Sequence, residues 1–355
     1  MIDSFDAQKL DILRRVDYSS QSVKTARSFD DYQISDITFG DKLNRNSMNP
    51  ARTLCFLFCL GLLGSSCTQS DHKNKKELLN TRDDSTESAF LRIIDAYGDT
   101  LQLDNPPERI ISLAPNITEI IYFLHAENRL IARTDYCDYP EAAKNLPSIG
   151  TLGSYNYEQI IALKPDLILM MTFDGSSKGE YDRLKSLGLH PFAIPEGDID
   201  QVLDGIDTVS LVLGIDIART RTDSLRRIVR SIQNRAASLP PVSTFVVVDK
   251  SPLMTTSGGF IGSVIEAAGG KNIAAGDPVP YPTYSREVLM RQDPEVILIP
   301  STSDSAIDEL LKLYPEWSAL QAVRNNRVRT IHHNLISRPG PRIVEGLERV
   351  FELLH

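Results

Sequence analysis

Cysteine is scarce in this chain of 355 residues, with four in all, too few for a disulfide framework. Basic residues are outnumbered, 38 Lys and Arg against 47 Asp and Glu, and the formal net charge is −9. With no basic excess and no basic stripe, nucleic acid is excluded as a partner. Long apolar runs are missing too. The most apolar stretch, Leu54 to Leu63, is too short to cross a bilayer as a helix. No Ser/His/Asp order, nucleophile elbow or Cys/His pair stands out, so the constellation an enzyme needs is not there. Gly258-Gly259-Phe260-Ile261-Gly262 lacks the Lys-Ser/Thr of a phosphate-binding P-loop and the spacing of a dinucleotide fingerprint, and reads as a turn with a helix start. His332-His333 is the only adjacent histidine pair, short of the three or four converging ligands a metal requires, so neither a metal nor a cofactor is expected. What remains is 41% hydrophobic and 24% charged, a soluble globular composition long enough for two domains.

The front of the chain has its own pattern. Residues 1–47 are polar with no long apolar period. Met48 then precedes one positive charge, Arg52, an apolar run and Gly64-Ser65-Ser66-Cys67. A charge, about ten apolar residues and small residues before a Cys make a secretory signal over 48–66. The Cys directly after the small residues resembles a bacterial lipobox, so Cys67 is expected to carry lipid. Met48 is the expected start, with 1–47 an extension foreign to the mature protein. Cys55 and Cys59 leave with the signal, and Cys137 alone remains as a free thiol. Residues 67–89 are polar apart from Leu78 and Leu79 and read as a tether, roughly 70 Å when fully stretched.

From Phe90 onward short β-rich runs alternate with helical ones, the mark of an α/β fold. Arg92–Asp95 and Thr100–Leu103 predict a hairpin. Arg109–Leu113 predicts a strand, followed by a helix from Asn116 with Glu119 placed as in a capping box. Leu167–Met171 is apolar throughout, as a buried parallel strand is. The strongest signal is a repeat. Asn156-Tyr157-Glu158 leads to Pro165-Asp166 and the strand Leu167-Ile168-Leu169, and Ser285-Arg286-Glu287 leads to Pro294-Glu295 and Val296-Ile297-Leu298. In both, a capping residue sits two before a Glu and a Pro seven after it. Two such halves, 90–214 and 240–355, predict Rossmann-like lobes with a ligand cleft between them. Residues 215–239 join them, and the periodicity predicts one long helix over 216–238, with Ile217, Leu225, Ile228, Val229 and Ile232 on one face. A helical joint is stiff, so closure on binding is expected to be small.

Four segments in order, Arg109 to Glu119, Asp138-Tyr139-Pro140, Pro280-Tyr281-Pro282 with Ser285-Arg286-Glu287, and Pro341-Arg342-Ile343, give residues 90–355 a specific likeness. The chain resembles the extracytoplasmic solute-binding proteins of ABC importers, in the subgroup whose two lobes are joined by a rigid helix and which carries vitamin B12, ferric siderophores, haem and some metals. The resemblance implies a lipid-anchored periplasmic monomer that captures a corrinoid such as vitamin B12 and hands it to an ABC permease with its ATPase. A ferric siderophore or haem is the alternative cargo, and a sugar- or nucleotide-processing enzyme on a doubly wound scaffold is a third reading. Glu158 and Glu287 are the implied docking residues, one per lobe, on arginines of the permease. A carboxylate in a first helical turn also favours the macrodipole, which explains one Glu more readily than a matched pair.

Ligand-contacting residues are expected where strands end at the cleft. The candidates are Tyr136, Asp138 and Tyr139, Leu152 and Tyr155, Phe173, Tyr281 and Tyr284, and Arg338. Aromatic walls with a few polar groups suit the apolar faces and amide arms of a corrinoid. The single Trp317 falls in a helical stretch away from these loops, so flat surfaces come from Tyr and Phe. Against an anionic ferric chelate, Arg133, Arg183, Arg338 and Arg342 are the matching groups.

Overall fold

The computed structural model describes residues 90–172, 177–215 and 218–355. The expected extension 1–47, signal 48–66 and tether 67–89 with Cys67, together with Phe173 and the expected start of the joint at Asp216-Ile217, lie outside the described residues.

Asp95 opens the fold by turning the chain. Its carboxylate accepts the backbone N–H groups of Tyr97 and Asp99, and β1 (Leu91–Ile94) folds back antiparallel on β2 (Thr100–Leu103). The first lobe follows with β3 (Ile110–Ser112), α1 (Pro115–Phe123), β4 (Leu130–Arg133), a small hairpin of β5 (Gly150–Thr151) and β6 (Ser154–Tyr155), α2 (Tyr157–Leu163), β7 (Leu167–Met171), α3 (Lys178–Ser186) and β8 (Pro191–Ile194). Its sheet has the order β4-β3-β7-β8, with every pair parallel. Two helices then cross the molecule, α4 (Ile199–Leu213) and α5 (Ala218–Ala236). The second lobe runs through β9 (Val242–Val246), a hairpin of β10 (Asp249–Lys250) and β11 (Leu253–Met254), α6 (Gly259–Ala267), β12 (Gly270–Asn272), α7 (Arg286–Gln292), β13 (Val296–Pro300), α8 (Ala306–Leu313), the short α9 (Gln321–Arg324), β14 (Val328–Ile331), α10 (His333–Ser337) and α11 (Ile343–Leu354). Its parallel sheet has the order β12-β9-β13-β14. Counted within each lobe, both sheets therefore run second, first, third, fourth.

The sequence repeat is the same piece of structure twice. The Asn156 side chain accepts from the N–H of Gln159 at the head of α2, and Ser285 accepts from Val288 at the head of α7. Each helix ends on a non-glycine residue in the left-handed region, Lys164 at φ 47° and Asp293 at φ 40°, immediately before a proline that cannot continue the helix. The acidic residue after each proline stitches one strand to its neighbour. Asp166 accepts from the backbone of Glu108 and Arg109 beside β3, and Glu295 from Ser243 in β9.

Crossover helices cover both faces of each sheet, which is why β7 is buried at every position. The apolar stripe of α5, Leu225, Val229, Ile232 and Ala236, is buried, and a single core runs from Ile117 and Ile121 of α1 through Ile206 and Val209 of α4 and that stripe to Val264, Ile265 and Val350 of the second lobe. The lobes are thus welded through helices. Trp317 is buried on the far face of the second sheet, stacked on Tyr314.

Two local expectations need correction. Glu119 makes no capping box, because α1 starts at Pro115 with Ala114 as its cap and no side-chain bond there. The capping box among the described helices belongs to α4, where Asp198 accepts from Gln201 and the Gln201 side chain reaches back to Asp198. That helix precedes the expected joint and was not read from the sequence.

Candidate ligand-binding site

In parallel sheets of this kind the ligand sits beyond the carboxyl ends of the strands, where the order reverses. In the first lobe the order reverses between β3 and β7. A small cavity of about 70 Å³ opens there, walled by Leu113, Met170, Met171, Leu152, Tyr155 and Glu180. Leu152 is exposed, while Tyr155 is buried with its ring edge-on to Tyr157. Burial, with Glu180 adding, pushes the Tyr155 hydroxyl up to about 12. Tyr157 rises to about 12 as well, first through desolvation and then through the bond its hydroxyl donates to Glu180.

The loops at the carboxyl ends of β4 and β14 bridge the lobes. Arg338 Nη1 reaches Asp138 Oδ1 at 2.7 Å, and its Nη2 donates to the Tyr136 carbonyl at 3.2 Å. The Arg342 guanidinium lies 3.9 Å from the centre of the Tyr139 ring. Burial works against the Asp138 carboxylate, but the Arg338 bond and charge outweigh it and hold the group below its ordinary range. The Tyr136 side chain stands out, 58% exposed. A second bridge joins the loop after β8 to the second lobe, where Tyr281 donates to Glu196 at 3.4 Å. Of the expected contact residues, Tyr136, Asp138, Tyr139 and Arg338 therefore meet at one edge, Leu152 and Tyr155 line the first lobe, and Tyr281 sits at the other bridge.

Tyr284 is the exception. Its ring packs on Phe245 with centroids 5.2 Å apart, and its hydroxyl is used within its own lobe by the Ile273 carbonyl and Gln292. It belongs to the second lobe's core. Glu119, Glu196 and Glu180 stand beside these groups and are not among the expected contact residues. For Glu119 the available signal was the lone charge in the apolar stretch PNITEIIYF. Among the described residues no group of His, Cys, Asp and Glu is arranged to hold a metal. His332 and His333 stack on one another, and burial with the neighbouring ring keeps His333 below the usual imidazole range. A hollow of about 590 Å³ lies elsewhere, among the start of α4, the end of α5 and α6, and none of the expected site residues lines it.

Glu158 and Glu287 are exposed in the first turns of α2 and α7. Neither carboxylate has a cationic partner among the described residues.

Residues 110–335 match the family described as periplasmic binding protein. The vitamin B12-binding protein of Vibrio cholerae serotype O1 is 32% identical over 248 residues, 69% of this chain and 88% of that protein. Its counterpart from Yersinia pestis is 32% identical over 245 residues, 68% of this chain and 85% of that protein. The crystal structure of the periplasmic vitamin B12-binding protein of Vibrio cholerae superposes with a TM-score of 0.63 at 31% identity, covering 70% of this chain and 97% of that one. A periplasmic heme-binding protein from Pseudomonas aeruginosa shares the fold, with a TM-score of 0.62 at 23% identity over 70% of this chain and 92% of that one. The duplicated parallel sheets, the helices joining them and these matches agree, and the chain belongs to the periplasmic binding protein family.

Proposed function

We propose that the chain is the extracytoplasmic capture component of an ABC importer and that its cargo is a corrinoid such as vitamin B12. The carrying observation is the state of the arginines. An anionic ferric chelate needs free guanidinium groups. Arg133 is spent on the carbonyls of Ala143, Thr134 and Lys144, and Arg183 lies on the Tyr157 ring. Arg338 and Arg342 are held by carboxylates. What is left over at the strand ends is the cavity lining of Leu152, Tyr155 and Met171 on one lobe with Tyr136, Tyr139 and Tyr281 at the bridges. That combination favours a large ligand with apolar faces and neutral amide arms. The relatives at 32% identity that are named for vitamin B12 support the same reading.

Glu158 and Glu287, exposed and matched across the two lobes, are proposed to meet basic residues of the permease. Cys67 is proposed to carry the lipid that tethers the protein to the membrane. The deciding measurement is calorimetric titration of the purified full chain with cyanocobalamin, a ferric siderophore and haem. One-to-one binding of cyanocobalamin is expected. Heat from a ferric chelate or haem alone would overturn the corrinoid assignment and leave the family intact.

A further inference from the structure

Glu119 is the one acidic residue of α1, and it is almost completely enclosed, with its side chain 2% exposed. An enclosed carboxylate persists only with strong partners. Both of its partners come from the other lobe. Arg342 grips it with two bonds, Nε to Oε2 at 2.8 Å and Nη2 to Oε1 at 2.7 Å, and Arg338 Nη1 lies 3.3 Å from Oε1. The two arginines are spaced by Pro339-Gly340-Pro341, a stretch with little backbone freedom at its prolines. Asn116, one turn before Glu119 on α1, donates to the Pro339 carbonyl at 3.0 Å, and Gly340 packs against Asn116 at ordinary contact distance. The same two arginines then turn back to the first lobe. Arg338 holds Asp138 and the Tyr136 carbonyl, and Arg342 lies under Tyr139.

We infer that Glu119 is a positioning residue for the cleft. It contacts no cargo. It fixes two arginines of the second lobe, and these fix the 136–139 loop of the first. The loop that presents Tyr136, Asp138 and Tyr139 is therefore set in place by a carboxylate on a different element, through side chains of the opposite lobe. This relay is the same whichever ligand the cleft takes.

Hydrogen exchange of the full chain without ligand tests it. Glu119→Gln keeps the side-chain shape and removes the charge. Exchange of amides 134–139 is expected to rise at least tenfold, with α2, α7 and β13 unchanged. Arg338→Met leaves the Glu119–Arg342 grip in place and serves if the first variant folds poorly. It should release the same loop with little change in melting temperature. A purely structural role for Glu119 would raise exchange across both lobes together. That result, or a loop as protected in both variants as in the parent, would overturn the inference. A double variant no looser at 134–139 than either single one is expected, because both substitutions break the same relay.

Discussion

Ile232 lies in the middle of α5 with no exposed surface, at the waist of the core shared by both lobes. Ile232→Ala removes three buried carbons. Their transfer from water is worth about 2.4 kcal/mol, and the cavity left behind brings the loss to about 3–4 kcal/mol. For a folded body of about 250 residues the unfolding entropy makes each kcal/mol worth about 2 °C, so the melting temperature should fall by about 6–8 °C. Which probe moves carries more information. Trp317 is the only tryptophan in the chain and is buried in the second lobe, on the sheet face away from α5, so its fluorescence follows that lobe alone. Far-ultraviolet circular dichroism follows both lobes. If the core is continuous, the two signals coincide in the parent and shift together in the variant. An unmoved Trp317 transition beside a split ellipticity curve would show two separately folding lobes and refute the shared-core reasoning.

Glu158→Arg with Glu287→Arg should abolish uptake while leaving ligand affinity within twofold; loss of affinity would place these carboxylates in the cleft rather than on the permease face. Glu345 is pushed above the usual carboxylate range by burial, with Glu119 adding and Arg342 opposing. Its folded form favours the proton, so this stabilisation is complete below its unfolded value near pH 4 and is lost as pH rises through the folded value. Glu345→Gln should accordingly raise the melting temperature at about pH 7 and give no gain below about pH 4, read by thermal melts across that range. Tyr155 follows the same sign on the alkaline side. Its hydroxyl ionises at about 12 when folded, against an ordinary 10.0, so its contribution is intact below pH 10.0 and disappears as pH rises through about 12. Phenolate absorbance should show Tyr155→Phe missing one late-titrating group, and a variant curve that loses an early one would contradict the burial argument.

The parts of this fold legible in the sequence are those whose physics is local. Asn156 and Ser285 cap helices within three residues of themselves, and Pro165 and Pro294 stop what precedes them, so the repeat could be read before the two sheets were known to share an order. The same local habit misled at α1. Asn116 and Glu119 have capping-box spacing, but their partners are Pro339 and Arg342, both 223 positions away. No periodicity carries a bond of that span. Tyr284 shows a related limit, since a loop tyrosine next to a helix cap gives no sign of whether its ring faces an opening or, as here, Phe245. In α4 the pattern is present, with Asp198 three residues before Gln201, but it precedes the 216–238 stretch whose periodicity marks the joint.

The weld between the lobes limits how such a protein can be recombined. In a chimaera that takes its second lobe from a relative, a cut in the turn after α4 would leave Ile206 and Val209 facing a foreign α5, and Glu119 facing foreign arginines. The natural unit of exchange is larger than a lobe. α1, α4, α5, α6 and α11 must travel together with the loops after β4 and β14, and the parts free to be traded singly are the outer helices that touch neither.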